Sequence, residues 1–318
     1  MAETGGDTVV IGNPSAGRGK VGRCWSDLLA RLQGAGLRVE GHLTKGPGHA
    51  TELARQARDE GQDLVVAVGG DGTVNEIVNG LLGAGGDGDA AGAGGADGRT
   101  AAVPALGLIP VGSGSDYART LGVPRDVDGA VAHLASASIR NLDVGEIRYQ
   151  GEGGEASRLF VNVVEVGIGA EVATRAAPLP RSLGALRYVA AFALALPRHR
   201  PGTVRIELGA DLYEGPLTNL VVALGQYFGG GMRIAPGADP TGGSFAVQVQ
   251  FGSKLDYVLA MPKVFRGTHL PHPRVREAQT PVVHVQGAAS TPVEADGEVL
   301  GTTPVSLRVR PRALPVRA

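Results

Sequence analysis

The unbroken apolar run Leu64-Val65-Val66-Ala67-Val68 constrains this chain most. Apolar residues without alternation suit a strand buried on both faces, as in a parallel sheet covered by helices. The run leads directly into Gly69-Gly70-Asp71-Gly72-Thr73, and Thr73 to Leu82 then has a helical pattern. Glycines let a backbone approach a ligand at φ values closed to other residues. A helix N-terminus adds free N–H groups and a positive dipole end, which suit phosphate. Asp71 would repel phosphate unless a cation lay between, so its presence predicts Mg²⁺ there. The competing reading is a tight strand-to-helix turn capped by Thr73, but the three glycines and the aspartate exceed what a cap needs.

The same alternation recurs around this run. Thr8 to Ile11 reads as a strand ending at Gly12-Asn13-Pro14. Val21, Trp25, Leu28, Leu29 and Leu32 fall at helical spacing, with Gly34 as the stop. Leu37 to Leu43 is a second strand, His49 to Glu60 a helix, Leu106 to Ile109 a strand, and Val127 to Ala137 a helix. Repeated strand–helix units predict a doubly wound α/β domain over residues 1–143. Gly112-Ser113-Gly114-Ser115-Asp116 follows its strand as the first loop does, and the two loops together predict a two-sided nucleotide cradle. Gly17, Gly19 and Gly22 match G-x-G-x-x-G, but Asn13 to Ala16 separate them from the strand. A Walker A loop also fails, because Pro14 stands at its first glycine and Val21 follows Lys20. Gly83 to Gly98, built of glycine, alanine and aspartate alone, reads as a flexible insert. Glycine supplies 51 of 318 residues, about twice its usual share, yet no G-X-Y period appears, which excludes collagen.

From residue 144 to 318 strands dominate: Leu159 to Val166, Val204 to Leu208, Leu220 to Leu224, Phe245 to Val249, Val282 to Val285 and Ser306 to Arg310. Two helices stand among them, Gly184 to Leu196 and Lys254 to Val264, the second with an end blurred by Pro262. This predicts a second, mostly β domain. The net charge of −1 argues against a nucleic-acid partner. The single Cys24 allows no internal disulfide. No secretory signal is visible, and the apolar run Tyr188 to Leu196 falls short of the roughly 18 residues of a membrane span. The chain therefore reads as cytoplasmic, at most peripheral to the inner face of a membrane. The basic clusters Arg198-His199-Arg200 and Arg308, Arg310 and Arg312 fit either anionic head groups or ordinary solvated surface. His269 and His272 lack metal-ligand company, and Ser113 and Ser115 form no nucleophile elbow.

Asn13-Pro14-Ser15, the stretch Gly69 to Glu76, and Gly112 to Asp116 together resemble the diacylglycerol kinase catalytic domain, a family that includes bacterial lipid kinases, sphingosine kinases and ceramide kinases. The resemblance continues through Asn162, Gly167-Ile168-Gly169-Ala170-Glu171, Gly229-Gly230-Gly231-Met232 and Glu294-Ala295-Asp296-Gly297-Glu298, in family order over nearly the whole chain. It implies an NAD kinase- and diacylglycerol kinase-like α/β domain followed by a β sandwich, with ATP and Mg²⁺ as cofactors and a lipid substrate. Whether the extreme C-terminus returns to the first domain stays open. Gly69, Gly70, Asp71, Gly72 and Thr73 resemble the family's ATP-phosphate loop, with Asn75 near the nucleotide and Gly112 and Ser113 on the second loop. Asn13 and Thr44 resemble its nucleotide contacts, and Arg181 and Arg187 its phosphate-holding arginines. Asp296 resembles the proposed catalytic base, with Glu298 beside it; without the resemblance, Asp296-Gly297 reads as a hairpin turn. Asp71 is the expected ligand of the catalytic Mg²⁺. Asp239 lies where bacterial members hold a structural Mg²⁺, but Gly242-Gly243 replaces the usual Asp-Gly, so one carboxylate of that site is missing. Ser115 stands where the family has Asn. A lipid kinase acting on diacylglycerol or a related lipid is the leading expectation. An NAD kinase-like enzyme and a non-catalytic nucleotide- or lipid-binding protein remain alternatives, and the lipid and the oligomeric state, dimer included, stay open.

Overall fold

The structure is a computed structural model, and it describes residues 7–83, 102–112, 114–151, 153–180, 183, 186–287 and 291–318. The chain divides into two compact units, Met1–Leu142 with Arg312–Ala318, and Asp143–Pro311. Apart from Gly83, the expected insert Gly83 to Gly98 lies outside the described residues.

In the first unit, β1 (Asp7–Gly12), β2 (Arg38–Leu43), β3 (Leu64–Gly69) and β4 (Ala105–Pro110) form a parallel sheet in the order β2-β1-β3-β4. All six residues of β3 and all six of β4 are buried, as their unbroken apolar runs require. The helices are α1 (Ala16–Arg23), α2 (Trp25–Gly34), α3 (His49–Asp59), α4 (Asp71–Leu82), α5 (Asp116–Thr120) and α6 (Val127–Ser136). The single helix expected from Val21 to Gly34 is broken at Cys24, whose φ of −110° and ψ of 22° are not helical. α2 then lies close on the sheet: a Cβ at Gly12 would stand 2.4 Å from the Trp25 ring, and one at Gly41 would stand 2.7 Å from Leu29.

In the second unit the strands are β5 (Ile139–Gly151, begun in the first unit), β6 (Gly154–Phe160), β7 (Val163–Gly167), β8 (Gly202–Leu208), β9 (Asp211–Leu217), β10 (Asn219–Ala223), β11 (Phe245–Gln250), β12 (Val275–Thr280), β13 (Val282–Gly287), β14 (Pro292–Ala295) and β15 (Glu298–Arg317). One layer runs β12-β11-β10-β7-β14-β15, antiparallel at each pairing whose register is known. The period of two sends Val164, Val166, Leu220, Val222, Phe245, Val247 and Val293 into one core, where they meet Val204, Ile206 and Val283 of β8 and β13. Phe160 stacks on Phe245 there, with centroids 5.6 Å apart. The opposite face carries Val163, Val221 and Ala223, covered by Met232, Ile234 and Val264.

Among the described residues three helices accompany these strands: α7 (Ile168–Ala176), α8 (Leu186–Ala195) and α9 (Lys254–Arg266). α7 is an addition to the two expected from sequence. It follows Gly167, whose φ of 112° turns the chain where a Cβ would strike the Thr218 carbonyl at 2.7 Å. α9 runs through Pro262 to Arg266. Its ends are set by a Ser253–Asp256 capping box and by the left-handed Gly267 rather than by the proline.

Candidate active site

The three loops singled out in the first unit leave the carboxyl ends of β1, β3 and β4. Asn13 N–H donates to the Val68 carbonyl at 3.1 Å, and Val111 N–H donates to the Gly69 carbonyl at 2.9 Å, so the parallel ladder continues into all three. Thr44 N–H donates to the Gly12 carbonyl at 2.8 Å, which seats the start of the β2 loop beside them. The approach is close enough to require glycine: a Cβ at Gly112 would lie 3.0 Å from Gly70 Cα, and one at Gly17 would lie 2.8 Å from the Val111 side chain. Gly72 instead opens onto free space, with nothing within 4 Å of a would-be Cβ. Gly17, Arg18 and Gly19 are all left-handed, with φ of 59°, 59° and 80°, so the stretch matching G-x-G-x-x-G forms a left-handed turn and not the opening of a dinucleotide helix.

Asp71 stands in the first turn of α4, and its Oδ1 accepts the Tyr117 N–H of α5 at 3.0 Å. One carboxylate thus ties the first glycine loop to the helix after the second. Its Oδ2 has no partner among the described residues. A single carboxylate oxygen beside a phosphate loop fits Mg²⁺, which keeps waters and takes its other ligands from nucleotide phosphates. Thr73 and Asn75 are buried on α4, and Asn75 Oδ1 accepts from Asn79 at 3.2 Å. Glu76, in the same motif, braces the fold instead, since its carboxylate accepts the Ala50 N–H at 3.1 Å at the start of α3. Ser115 is left-handed with φ of 52°, a region that Asn enters more readily than Ser, and its buried Oγ has no partner among the described residues. Asn13 closes its own turn by accepting the Ser15 N–H at 3.0 Å. Ser113 and Arg181 lie outside the described residues.

In the second unit, Asp296 and Gly297 are the two residues between β14 and β15, with φ of 49° and 84°. They form the hairpin turn that an Asp-Gly pair favours. The Asp296 carboxylate accepts three backbone N–H groups, from Val161 at 2.9 Å and from Asn162 and Val163 at 3.0 Å each. Glu298 pairs with Arg158 through two donors, at 3.0 and 2.6 Å. Arg187 donates to the Tyr188 hydroxyl at 2.7 Å and stacks over that ring at 4.6 Å. The same hydroxyl lies 3.9 Å from where a Cβ of Gly297 would stand, so the structure brings Arg187 and Tyr188 to the Asp296 turn. Asn162 Nδ2 donates to the Tyr227 carbonyl at 2.6 Å, just before the left-handed run Gly229 to Gly231.

Asp239 accepts from Thr241 N–H and Oγ1 at 2.8 and 2.7 Å, and Asp143 accepts the Gly243 N–H at 2.6 Å. Those two carboxylates serve backbone turns, and no group of three or more His, Cys, Asp or Glu side chains suited to a metal occurs among the described residues. The basic pair Arg308 and Arg310 is engaged too. Both donate to the buried Glu146 at 3.0 and 2.6 Å, and although burial pushes that carboxyl up, the guanidiniums outweigh it and hold it below its ordinary range. His199 is buried against Glu171 at 2.9 Å rather than displayed in a basic cluster.

Sequence reasoning misses Glu165 and Asn219, which with Glu294 of the Glu294–Glu298 motif form a buried polar set beside the Asp296 turn, on the face opposite the sandwich core. Glu165 shows in the sequence only as an acid inside the valine-rich run of β7.

Residues 7–147 match the diacylglycerol kinase catalytic domain, and residues 162–318 match the C-terminal NAD kinase β sandwich-like domain typified by YegS. A diacylglycerol kinase of Bacillus subtilis (strain 168) is 30% identical over 93% of this chain and 90% of its own length. One from Staphylococcus epidermidis is 26% identical over 93% and 87%. The crystal structure of a diacylglycerol kinase from Bacillus anthracis str. Sterne shares the fold at a TM-score of 0.69 and 20% identity, covering 98% of this chain and 96% of that one. Another structure from the same organism reaches 0.75 at 21% identity, covering 98% and 94%.

Proposed function

The chain belongs to the diacylglycerol kinase catalytic-domain family and is an ATP-dependent lipid kinase, and from that premise we propose that it transfers the γ-phosphate of MgATP to the free hydroxyl of a diacylglycerol or a close relative. The observation that carries this reading is the approach of Gly70 to Gly112, too close for a Cβ at Gly112 without a shift, with Asp71 tying the first glycine loop to the helix after the second. In phosphoryl transfer the protein mainly positions groups and offsets charge. The loop from Gly69 to Thr73 would present the Gly70 to Gly72 backbone N–H groups and the α4 dipole to the phosphates. Asp71 Oδ2, with Oδ1 fixed on Tyr117, would hold Mg²⁺, which neutralises the charge that develops on the phosphate oxygens.

Asp296 would accept the proton of the lipid hydroxyl as that oxygen attacks. The three N–H groups on its carboxylate fix its position, and the Glu298–Arg158 pair steadies the strand that leaves the turn. Arg187, next to the turn, would meet phosphate charge. The working surface is a membrane. Leu186, Val189 and Leu194 on α8 and Leu255, Val258 and Leu259 on α9 expose 45% or more of their area, and the two helices join through the Phe192–Tyr257 stack. Among the described residues no helix is long and apolar enough to cross a bilayer, so these side chains fit shallow insertion.

The test is transfer of labelled γ-phosphate into diacylglycerol in mixed micelles and into a total lipid extract, each product identified by mass. Phosphatidate formation that requires Mg²⁺ is the expected result. Labelling of a different lipid class alone would overturn the acceptor, and no transfer to any lipid would overturn the reaction.

A further inference from the structure

Two buried carboxyl groups lie beside the Asp296 turn without a part in the chemistry above. Glu165 of β7 and Glu294 of β14 are directly opposite in an antiparallel pair, so their side chains rise from the same face of the sheet. Neither is more than 5% exposed. Their surroundings differ. Glu165 Oε1 accepts Nδ2–H of Asn219 at 2.7 Å, and Asn219 Oδ1 accepts the Gly169 N–H of α7 at 3.0 Å. The first turn of α7 presses on this carboxyl so closely that a Cβ at Gly169 would stand 2.3 Å from it. The positive end of α7 therefore supports a negative charge on Glu165. Glu294 has like charges near it instead, from Glu165 and Asp296. Its Oε2 accepts the Gly297 N–H at 2.8 Å, inside the Asp296–Gly297 turn.

Two neighbouring buried carboxyls cannot both be ionised cheaply. We propose that Glu294 and Glu165, opposite each other on β14 and β7 and carrying a single negative charge between them, act as a positioning pair that holds the Asp296 turn through the Gly297 N–H. This rests on Asp296 being the reacting carboxylate. Glu294 keeps one oxygen for the Gly297 N–H, which ties its side chain to the turn. Burial raises both groups, Glu165 to about 7 and Glu294 well above its ordinary range. Among the described residues Tyr257 is also set against Glu165, and burial followed by that charge keeps its phenol neutral.

Three proteins and one titration test the pair. Glu294→Ala removes the Gly297 acceptor and is expected to lower kcat about 10- to 100-fold, with KM for MgATP unchanged, since misplacement of a reacting group acts on the chemical step. Glu294→Gln retains an acceptor for Gly297 and places no charge beside Glu165, and is expected to recover most of that loss. Wild-type kcat in Glu294→Ala, or a Gln variant as slow as the Ala variant, would overturn the proposal. Carboxyl ¹³C NMR of the wild-type full chain, with Glu165→Gln for assignment, decides the matter even if the Ala variant does not fold. One glutamate titrating near pH 7 and a second keeping its proton well beyond are expected, whereas all glutamates titrating in the ordinary range would overturn it. That titration does not depend on turnover, so absence of lipid phosphorylation by the wild type would fall on the reading of Asp296 and leave the proton pair to be judged by NMR.

Discussion

The Asp296 carboxylate does two things that an amide cannot do together. Oδ1 takes the N–H groups of Asn162 and Val163, and Oδ2 takes that of Val161. In Asp296→Asn the amide oxygen can keep the first two, but its NH₂ then meets the Val161 N–H donor to donor. A buried N–H left without an acceptor costs about 1–3 kcal/mol. The variant is therefore expected to melt at a lower temperature, and its folded fraction to turn over at least about 100-fold more slowly, the range for losing a general base. Calorimetry and single-turnover phosphorylation measure the two losses separately. Normal turnover by the folded variant would leave Asp296 as an anchor alone. The turn itself is legible from Asp-Gly between strands, but its clients are not: Val161 to Val163 lie more than 130 residues away. The same limit hides the partner of Glu165, which depends on the β7–β14 register, and the hold of Glu146 on Arg308 and Arg310, which from sequence resemble a free basic cluster.

At the level of elements, strands and their glycine loops read well because burial on both faces leaves an unbroken apolar run. Helices read less well where short or bent. α7 is nine residues long and opens inside a glycine motif, so its period is too brief to register. α8 and α9 show their periods but not what they leave uncovered. Each packs one side and presents leucines on the other, with Lys263 and Arg266 in the last turn of α9. Exposed apolar clusters of this kind mark contact surfaces. Insertion of Leu255 and Leu259 into an interface should contribute about 1–2 kcal/mol each at partial burial. Leu255→Ser with Leu259→Ser is therefore expected to weaken partitioning to phosphatidylglycerol-containing vesicles at least about tenfold. Turnover of a dispersed short-chain diacylglycerol should stay near wild type. Equal vesicle binding by the double variant would remove α9 from the membrane contact.

On the scale of the whole molecule, the first unit is completed by the last residues of the chain. Val316 pairs in parallel with Leu106 of β4, Leu314 and Val316 are fully buried, and Arg317 donates to the carbonyls of Ala135 and Ala137 behind α6. The sequence marks Leu314-Pro315-Val316 only as a short apolar stretch, because a strand supplied from about 200 residues away has no local signal. The strand matters for the site through β4, whose next residues are Val111 and Gly112. Removing residues 312–318 uncovers β4 and forfeits two side chains worth about 1.5–3 kcal/mol each when fully buried. That is a large part of the roughly 5–15 kcal/mol typical of a domain. The truncated chain is expected to show an early melting transition that MgATP no longer raises, because the Gly70–Gly112 contact depends on β4 keeping its place. The second unit has its own core and should keep its transition near the wild-type temperature. Calorimetry with and without MgATP reads both transitions. If the first unit still melted at the wild-type temperature and still gained from MgATP, the C-terminal strand would be an accessory to the sheet, and the nucleotide loops would owe their geometry to β1, β3 and β4 alone.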